Sequence, residues 1–200
     1  MLFPVCIIDD FLGPQASAGL VDFALANEAR FAPARVHTND ARNTLDTGFR
    51  DNVSFTGDFG PVIAPFLAAL DASYDRIAAE VGTNQFERRP TELHMAAHRD
   101  GQQLPRHIDT LTGRAEALVK DQRAVSLVYY CHRTPRAFSG GNLVMYAMTG
   151  GGRQVIEPRH DRLVAFPSFA PHEIERVEVP GNRFADARFA LVAWMRRPAG

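Results

Sequence analysis

Two hundred residues with a mass of 22.1 kDa suffice for one domain and are short for two. Hydrophobic residues make up 46% of the chain and charged residues 22%, a globular balance that argues against disorder. A net charge of -1 and a pI of about 6.7 leave no basic surplus to hold nucleic acid or an anionic membrane. No apolar run approaches the ~20 residues of a membrane span. The opening MLFPVCIIDD lacks a basic leader, so no signal peptide is expected. Cys6 and Cys131 lie among apolar residues, which predicts buried, reduced thiols and a cytoplasmic setting.

Phe3 to Ile8 is a short apolar run rich in branched residues and predicts a strand. Gly13-Pro14 ends it and opens a helix of about 14 residues, with proline in the first turn. Ala34 to Ser54 is polar and mixed in charge, a surface loop or a lid over a site. Val62, Ile63, Phe66, Leu67, Leu70, Tyr74, Ile77 and Val81 recur at helical spacing, and Gly82 follows as a cap. From residue 86 the pattern becomes short strands: Thr91–Ala97, Leu104–Thr110, Val125–Cys131, Asn142–Ala147, Arg153–Glu157, Leu163–Phe166, His172–Val179 and Arg188–Met195. Gly- and Pro-containing turns separate them, which predicts a barrel or jelly roll. The expected architecture is α+β, a double-sheet β core with the N-terminal helices on one outer face. Residues 1–200 are expected to form a single domain, helical to about residue 85, with the β core over about 86–197.

Two His-x-Asp triplets occur. The triplet alone is weak evidence and needs context. His98-Arg99-Asp100 runs straight into Gly101, so its aspartate suits a turn. His107-Ile108-Asp109 has an apolar residue between its polar ones, and on a strand residues i and i+2 share a face. His107 and Asp109 would then point into the barrel while Ile108 packs the opposite way. His172, opening a distant strand, is the best third ligand. Two imidazoles and one carboxylate on one face make the triad of non-haem Fe(II) oxygenases, whose remaining positions stay open. Arg188 shares its strand face with the small Ala190 and with Val192. It can grip a ligand carboxylate in bidentate fashion or reach solvent as a strand-end arginine. Tyr130 can donate to the same carboxylate or pack in the core.

Taken in order, several stretches resemble the iron- and 2-oxoglutarate-dependent dioxygenases of the prolyl 4-hydroxylase and prolyl-hydroxylase-domain type. They are Gly101 to Asp109 (GQQLPRHID), Arg123 to Tyr130 (RAVSLVYY), Ser139 to Leu143 (SGGNL), Glu157 to Phe166 (EPRHDRLVAF), Pro171 to Ile174 (PHEI) and Arg188 to Trp194 (RFALVAW). Ile8 to Leu12 (IDDFL) is similar to the usual entry to this fold. The resemblance implies a double-stranded β-helix, agreeing with the strand count. It implies Fe(II) on His107, Asp109 and His172, and 2-oxoglutarate anchored through its distal carboxylate by Arg188 with help from Tyr130. It further implies O2 as the second cosubstrate, release of succinate and CO2, hydroxylation of an organic substrate, and ascorbate as a reductant. Relatives often carry a tyrosine about nine residues before the first ligand histidine; here His98 stands there, either as a second carboxylate partner or as a solvated turn residue. His94, with Glu92 on its face, is a candidate for the substrate pocket. A prolyl residue in a protein or peptide is the favoured substrate, with Ala34–Ser54 and Leu111–Gln122 as candidate walls. The alternatives are a small-molecule or free amino-acid hydroxylase of the same mechanism, a cupin-like metal dioxygenase without 2-oxoglutarate, and a non-catalytic jelly-roll binding module.

Overall fold

A computed structural model describes residues 1–34, 51–110 and 120–199. In chain order the strands are β1 (Cys6–Ile8), β2 (Ala32–Pro33), β3 (Val53–Phe55), β4 (Arg89–His98), β5 (Leu104–His107), β6 (Asp121–Cys131), β7 (Ser139–Gly140), β8 (Leu143–Tyr146), β9 (Arg153–Ile156), β10 (Arg162–Pro167), β11 (His172–Ile174), β12 (Val177–Glu178) and β13 (Arg188–Pro198). The helices are α1 (Pro14–Ala26), α2 (Ala64–Ala72) and α3 (Tyr74–Glu80). A seven-stranded sheet has the order β1-β10-β6-β13-β4-β3-β2, and a four-stranded sheet the order β5-β11-β8-β9. All their pairings are antiparallel.

The period of two along β13 shows how the layers assemble. Phe189, Leu191, Ala193 and Met195 share one core with Leu127 and Tyr129 of β6 and with Leu20, Val21, Ala24, Phe66, Leu70 and Ile77 of the helices. Ala190, facing the other way, shares a second core with Val128, Tyr130, Val164 and Phe166, and with Leu143, Met145 and Ile156 of the small sheet. The large sheet is thus apolar on both faces, with helices against one and the small sheet against the other. The functional side chains stand between this second face and the small sheet, contributed by both.

The periodic run from Val62 to Val81 is not one helix. Pro65 has no N–H to donate one turn back, so the α-helix begins at Ala64, after a 3-10 turn over Gly60–Ile63. Ser73 then separates α2 from α3. At the end, Thr83 N bonds Ala78 O (3.0 Å) and Gly82 N bonds Ala79 O (3.2 Å), a Schellman closure. The segment expected as loop or lid is bounded by β2 and β3, which pair with each other; its middle, residues 35–50, and residues 111–119 of the second candidate wall lie outside the described residues. The strand expected over His172–Val179 is two strands, β11 and β12, with a register irregularity between His172 and Ile174. Cys6 and Cys131 are buried and free, and burial pushes both thiols up to about 12.

The entry to α1 is held from far along the chain. Asp161 accepts from Leu12 N and Gly13 N (both 2.8 Å) and from the Tyr129 hydroxyl (2.8 Å). Its own backbone is left-handed, with φ 57. Asp161→Ala removes these bonds, leaves the buried Tyr129 hydroxyl with only Ser17 beside it and puts alanine in a left-handed conformation that aspartate tolerates better. The expected loss is about 3–4 kcal/mol, read as a lower urea midpoint. Asp161→Asn, which keeps an acceptor and tolerates this backbone, should lose less.

Candidate active site

The small sheet presents two of the three expected ligands. His107 ends β5, His172 opens β11, and the two are direct register partners. Their ring centroids lie 4.2 Å apart. Asp109 joins them from a different setting than expected. β5 stops at His107, so Asp109 sits in the bend that follows rather than on the strand. The cause is a competing acceptor: Asp109 N (2.8 Å) and Thr110 N (3.1 Å) both donate to Ser168 O, which pulls the backbone out of any ladder. Ile108 is correspondingly half out in solvent, at 40% exposure, instead of packed. His107 Nε2 is 3.5 Å from Asp109 Oδ1, and His172 Nε2 is 3.7 Å from Asp109 Oδ2. One ligand atom from each of the three falls within 4.8 Å of the others, and among the described residues this is the one such His/Cys/Asp/Glu group.

The rings are oriented by their other nitrogens. His107 Nδ1 meets Pro105 O at 2.8 Å and His172 Nδ1 meets Ala170 O at 2.9 Å. A carbonyl accepts only, so each Nδ1 carries the proton and each Nε2 keeps its lone pair for the cluster. Burial disfavours the charge on Asp109, yet His172, His107 and Arg123 outweigh it and hold the carboxyl well below its ordinary range. Burial pulls the His172 imidazole down. Both directions, a carboxyl that ionises more easily and a His172 that is harder to protonate, favour metal-ligand forms.

Deeper between the sheets lies a cation. Arg188 is 1% exposed. Its Nε donates to Gly141 O at 2.7 Å, while Nη1 and Nη2 are buried and find no hydrogen-bond partner among the described residues. The guanidinium carbon stands 4.9 Å from the centre of the Tyr130 ring, and the Tyr130 hydroxyl is buried and likewise without a partner. Burial pulls the arginine down and pushes the phenol up, each partly opposed by the other. Burying a guanidinium edge and a phenol unpaired is costly, so this is the arrangement of a site built for an anionic guest. Arg188 therefore does not reach solvent. His98 is its cross-strand partner at the end of β4 and is 1% exposed, which excludes a solvated turn.

At the other end of the same sheet face, Ser126, Trp194 and Glu92 are in register. Arg123 stacks over the Trp194 ring at 3.6 Å and pairs with Glu92. His94 lies 5.4 Å from Trp194. Ser126 Oγ reaches Asp109 Oδ2 at 2.6 Å, so these side chains flank the cluster. Sequence reasoning passed over Ser126, Arg123 and Gly141. Counting back in twos from Tyr130 finds Ser126, whereas Gly141 becomes visible only when Arg188 is seen folded against it.

Comparison with known proteins agrees with this geometry. The sequence model of the 2OG-Fe(II) oxygenase superfamily matches residues 93–196. An uncharacterized PKHD-type hydroxylase of Synechocystis is 24% identical over 200 residues, covering 95% of this chain and 62% of that protein. The chain therefore spans less than two thirds of that relative's length. Among solved structures, a Pseudomonas putida prolyl-4-hydroxylase superposes with TM-score 0.72 at 24% identity, covering 98% of this chain and 94% of the other. A Trichoplax adhaerens prolyl hydroxylase, solved with a fragment of the hypoxia inducible factor oxygen degradation domain, gives 0.72 at 23% identity, with coverage of 96% and 83%. At these identities the two structures establish a shared fold.

Proposed function

We propose, for a chain that belongs to the 2OG-Fe(II) oxygenase superfamily, that it hydroxylates a prolyl residue in a protein or peptide, consuming 2-oxoglutarate and O2 and releasing succinate and CO2. The observation that carries this reading is the pairing of two sites in the space between the two sheets: a His-Asp-His cluster on the small sheet and the bend after it and, deeper, a buried guanidinium on the large sheet with two nitrogens lacking a hydrogen bond among the described residues. His107, Asp109 and His172 would hold Fe(II) through Nε2, a carboxylate oxygen and Nε2. The bound iron supplies the oxygen-activating chemistry. Arg188 and Tyr130 would take the distal carboxylate of 2-oxoglutarate in a charge-assisted, bidentate contact, filling the groups now unpaired. We assign His98, beside Arg188, as a further neighbour of that carboxylate. Leu143, Met145, Val128 and Ala190 wall the space between the sheets and exclude water from it.

Support for a prolyl substrate comes from the named activities of the Trichoplax and Pseudomonas proteins. On this reading the substrate meets the mouth of the site at Glu92, His94, Arg123 and Trp194. We further propose a single domain over residues 1–200, ascorbate as a reductant and a cytoplasmic setting. The free, buried thiols suit a reducing compartment. No helix among the described residues is long and apolar enough to cross a membrane.

The test is anaerobic titration of the metal-free protein with Fe(II) and then 2-oxoglutarate, following the visible charge-transfer band. The expected result is a band in the wild type and none in His172→Ala. A folded, iron-loaded wild type without a band removes 2-oxoglutarate; absence of iron binding removes the enzyme reading. Proline-containing peptides are then screened by mass spectrometry for gain of one oxygen atom with equimolar succinate.

A further inference from the structure

The oxygen atoms of Asp109 have different surroundings. Oδ2 accepts from Ser126 Oγ at 2.6 Å, and Ser126 Oγ lies 2.9 Å from Ser168 Oγ. Both serines are essentially inaccessible, Ser126 at 1% and Ser168 at 0% exposure. Ser126 has one hydroxyl proton, and an ionised carboxylate can only accept. That proton therefore goes to Asp109, and the contact between the serines runs from the Ser168 hydroxyl to Ser126. The result is a relay with one polarity, Ser168 to Ser126 to Asp109, in which each donation strengthens the next. Ser168 also holds the aspartate backbone, since its carbonyl accepts from Asp109 N. The carboxylate is thus fixed at its backbone by one serine and at Oδ2 by the other.

We infer that Ser126 is a positioning residue that keeps Asp109 monodentate, leaving only Oδ1 for a metal ion and so preserving a third open coordination position. The inference rests on the His-Asp-His cluster being a metal site. Its importance follows from counting. Two imidazoles and one oxygen fill half of an octahedral shell. A cosubstrate that chelates through two oxygens then leaves one position free. A bidentate aspartate would close that last position, the one at which O2 must enter. A carboxylate with both oxygens free turns readily to chelate, and the Ser126 hydroxyl opposes this by engaging a lone pair of Oδ2, which also lies 3.7 Å from His172 Nε2, and fixing the carboxylate's rotation.

The experiment uses Mn(II) as the probe and counts its bound waters from line broadening in oxygen-17-labelled water by electron paramagnetic resonance. Wild type is expected to show three waters on Mn(II), falling to one when 2-oxoglutarate is added. Ser126→Ala is expected to show one fewer in each state, so that none remains in the 2-oxoglutarate complex. Ser126→Thr, which keeps the hydroxyl, should restore the wild-type count. If Ser126→Ala does not accumulate as folded protein, Ser126→Cys makes the same comparison, because a thiol is a weak donor of similar shape. An unchanged water count in a folded Ser126→Ala or Ser126→Cys overturns the inference. Mn(II) binding by wild type no stronger than by His172→Ala would instead overturn the metal site itself. The two failures are therefore distinguishable.

Discussion

Replacing Arg188 with methionine is expected to leave the ligand-free protein at least as stable as wild type while destroying its grip on 2-oxoglutarate. The two effects come from one fact, the burial of a cation whose Nη1 and Nη2 are unpaired. In the empty protein those nitrogens carry a desolvation cost that the neighbouring Tyr130 offsets only in part, so an unbranched apolar side chain of similar length relieves it. The expected gain is about 1–3 kcal/mol, set against the loss of the bond from Nε to Gly141 O. With 2-oxoglutarate present the sign reverses, because the proposed bidentate charged contact is lost and the guest carboxylate is left to Tyr130 and His98. Losing about 3 kcal/mol of binding raises the 2-oxoglutarate requirement by about 100-fold. Thermal unfolding with and without the cosubstrate reads both effects. Wild type should be stabilised by 2-oxoglutarate in the presence of Mn(II), and Arg188→Met should start higher and not respond. A variant that unfolds earlier than wild type and still responds to the cosubstrate would show that Arg188 is structural.

The second large effect is expected at Gly140, which touches no substrate. A Cβ at this position would stand 2.3 Å from Arg176 O, a backbone atom that cannot swing aside. The residue also has φ +67, where a side chain is strained. Gly140 pairs with Val177 across β7 and β12, and the adjacent Gly141 N donates to Arg176 O at 3.0 Å. Gly140→Ala must therefore push β7 and β12 apart. The expected cost is about 2–4 kcal/mol, from left-handed strain and the lost pairing together. The damage should extend to function. Gly141 O holds Arg188 Nε, and the bare Cα of Gly141 gives the arginine stem its room: a Cβ there would meet Arg188 Cδ at 2.6 Å. Chemical denaturation should show the lost stability, and 2-oxoglutarate titration of the folded fraction should show weakened binding. A Gly140→Ala protein with a wild-type midpoint would contradict the geometry.

Regular elements with a strong period were readable in advance, and the exceptions share a cause. Apolar runs bounded by turn residues identified β6, β10 and β13, because a central strand buried on both faces is nearly continuously apolar. The two- and three-residue strands β2, β3, β7 and β12 carry no such signal. They exist because a distant partner stands beside them, as Val53 does beside Ala97. The break at Ser73 left the helical period intact across it and so was hidden. At the site, the three candidate ligands that the fold brings together were legible because His-x-Asp and a distant histidine carry their own chemistry. The placement of Asp109 was not, since Ser168 O, which draws it off the strand, lies across the fold. Asp161 had the same obscurity: it stands just before β10, yet it holds Leu12 N and Gly13 N, where the chain enters a helix far away in sequence.

The place of β13 has a consequence for the order in which the protein can be built. It lies between β6 and β4 in the middle of the large sheet, yet it follows both of them, and every other strand, along the chain. While a ribosome is still making residues up to Ala187, β4 and β6 have synthesised edges facing a gap that nothing yet fills. A nascent chain at that stage holds His107, Asp109 and His172 but has neither Arg188 nor the strand that joins the halves of its core. Such exposed, apolar edges attract other chains. The closing step is also non-local, which makes it slow. Completion of the sheet and arrival of Arg188, the proposed anchor of the cosubstrate, are therefore one event, and until then the open edges of β4 and β6 are exposed to aggregation.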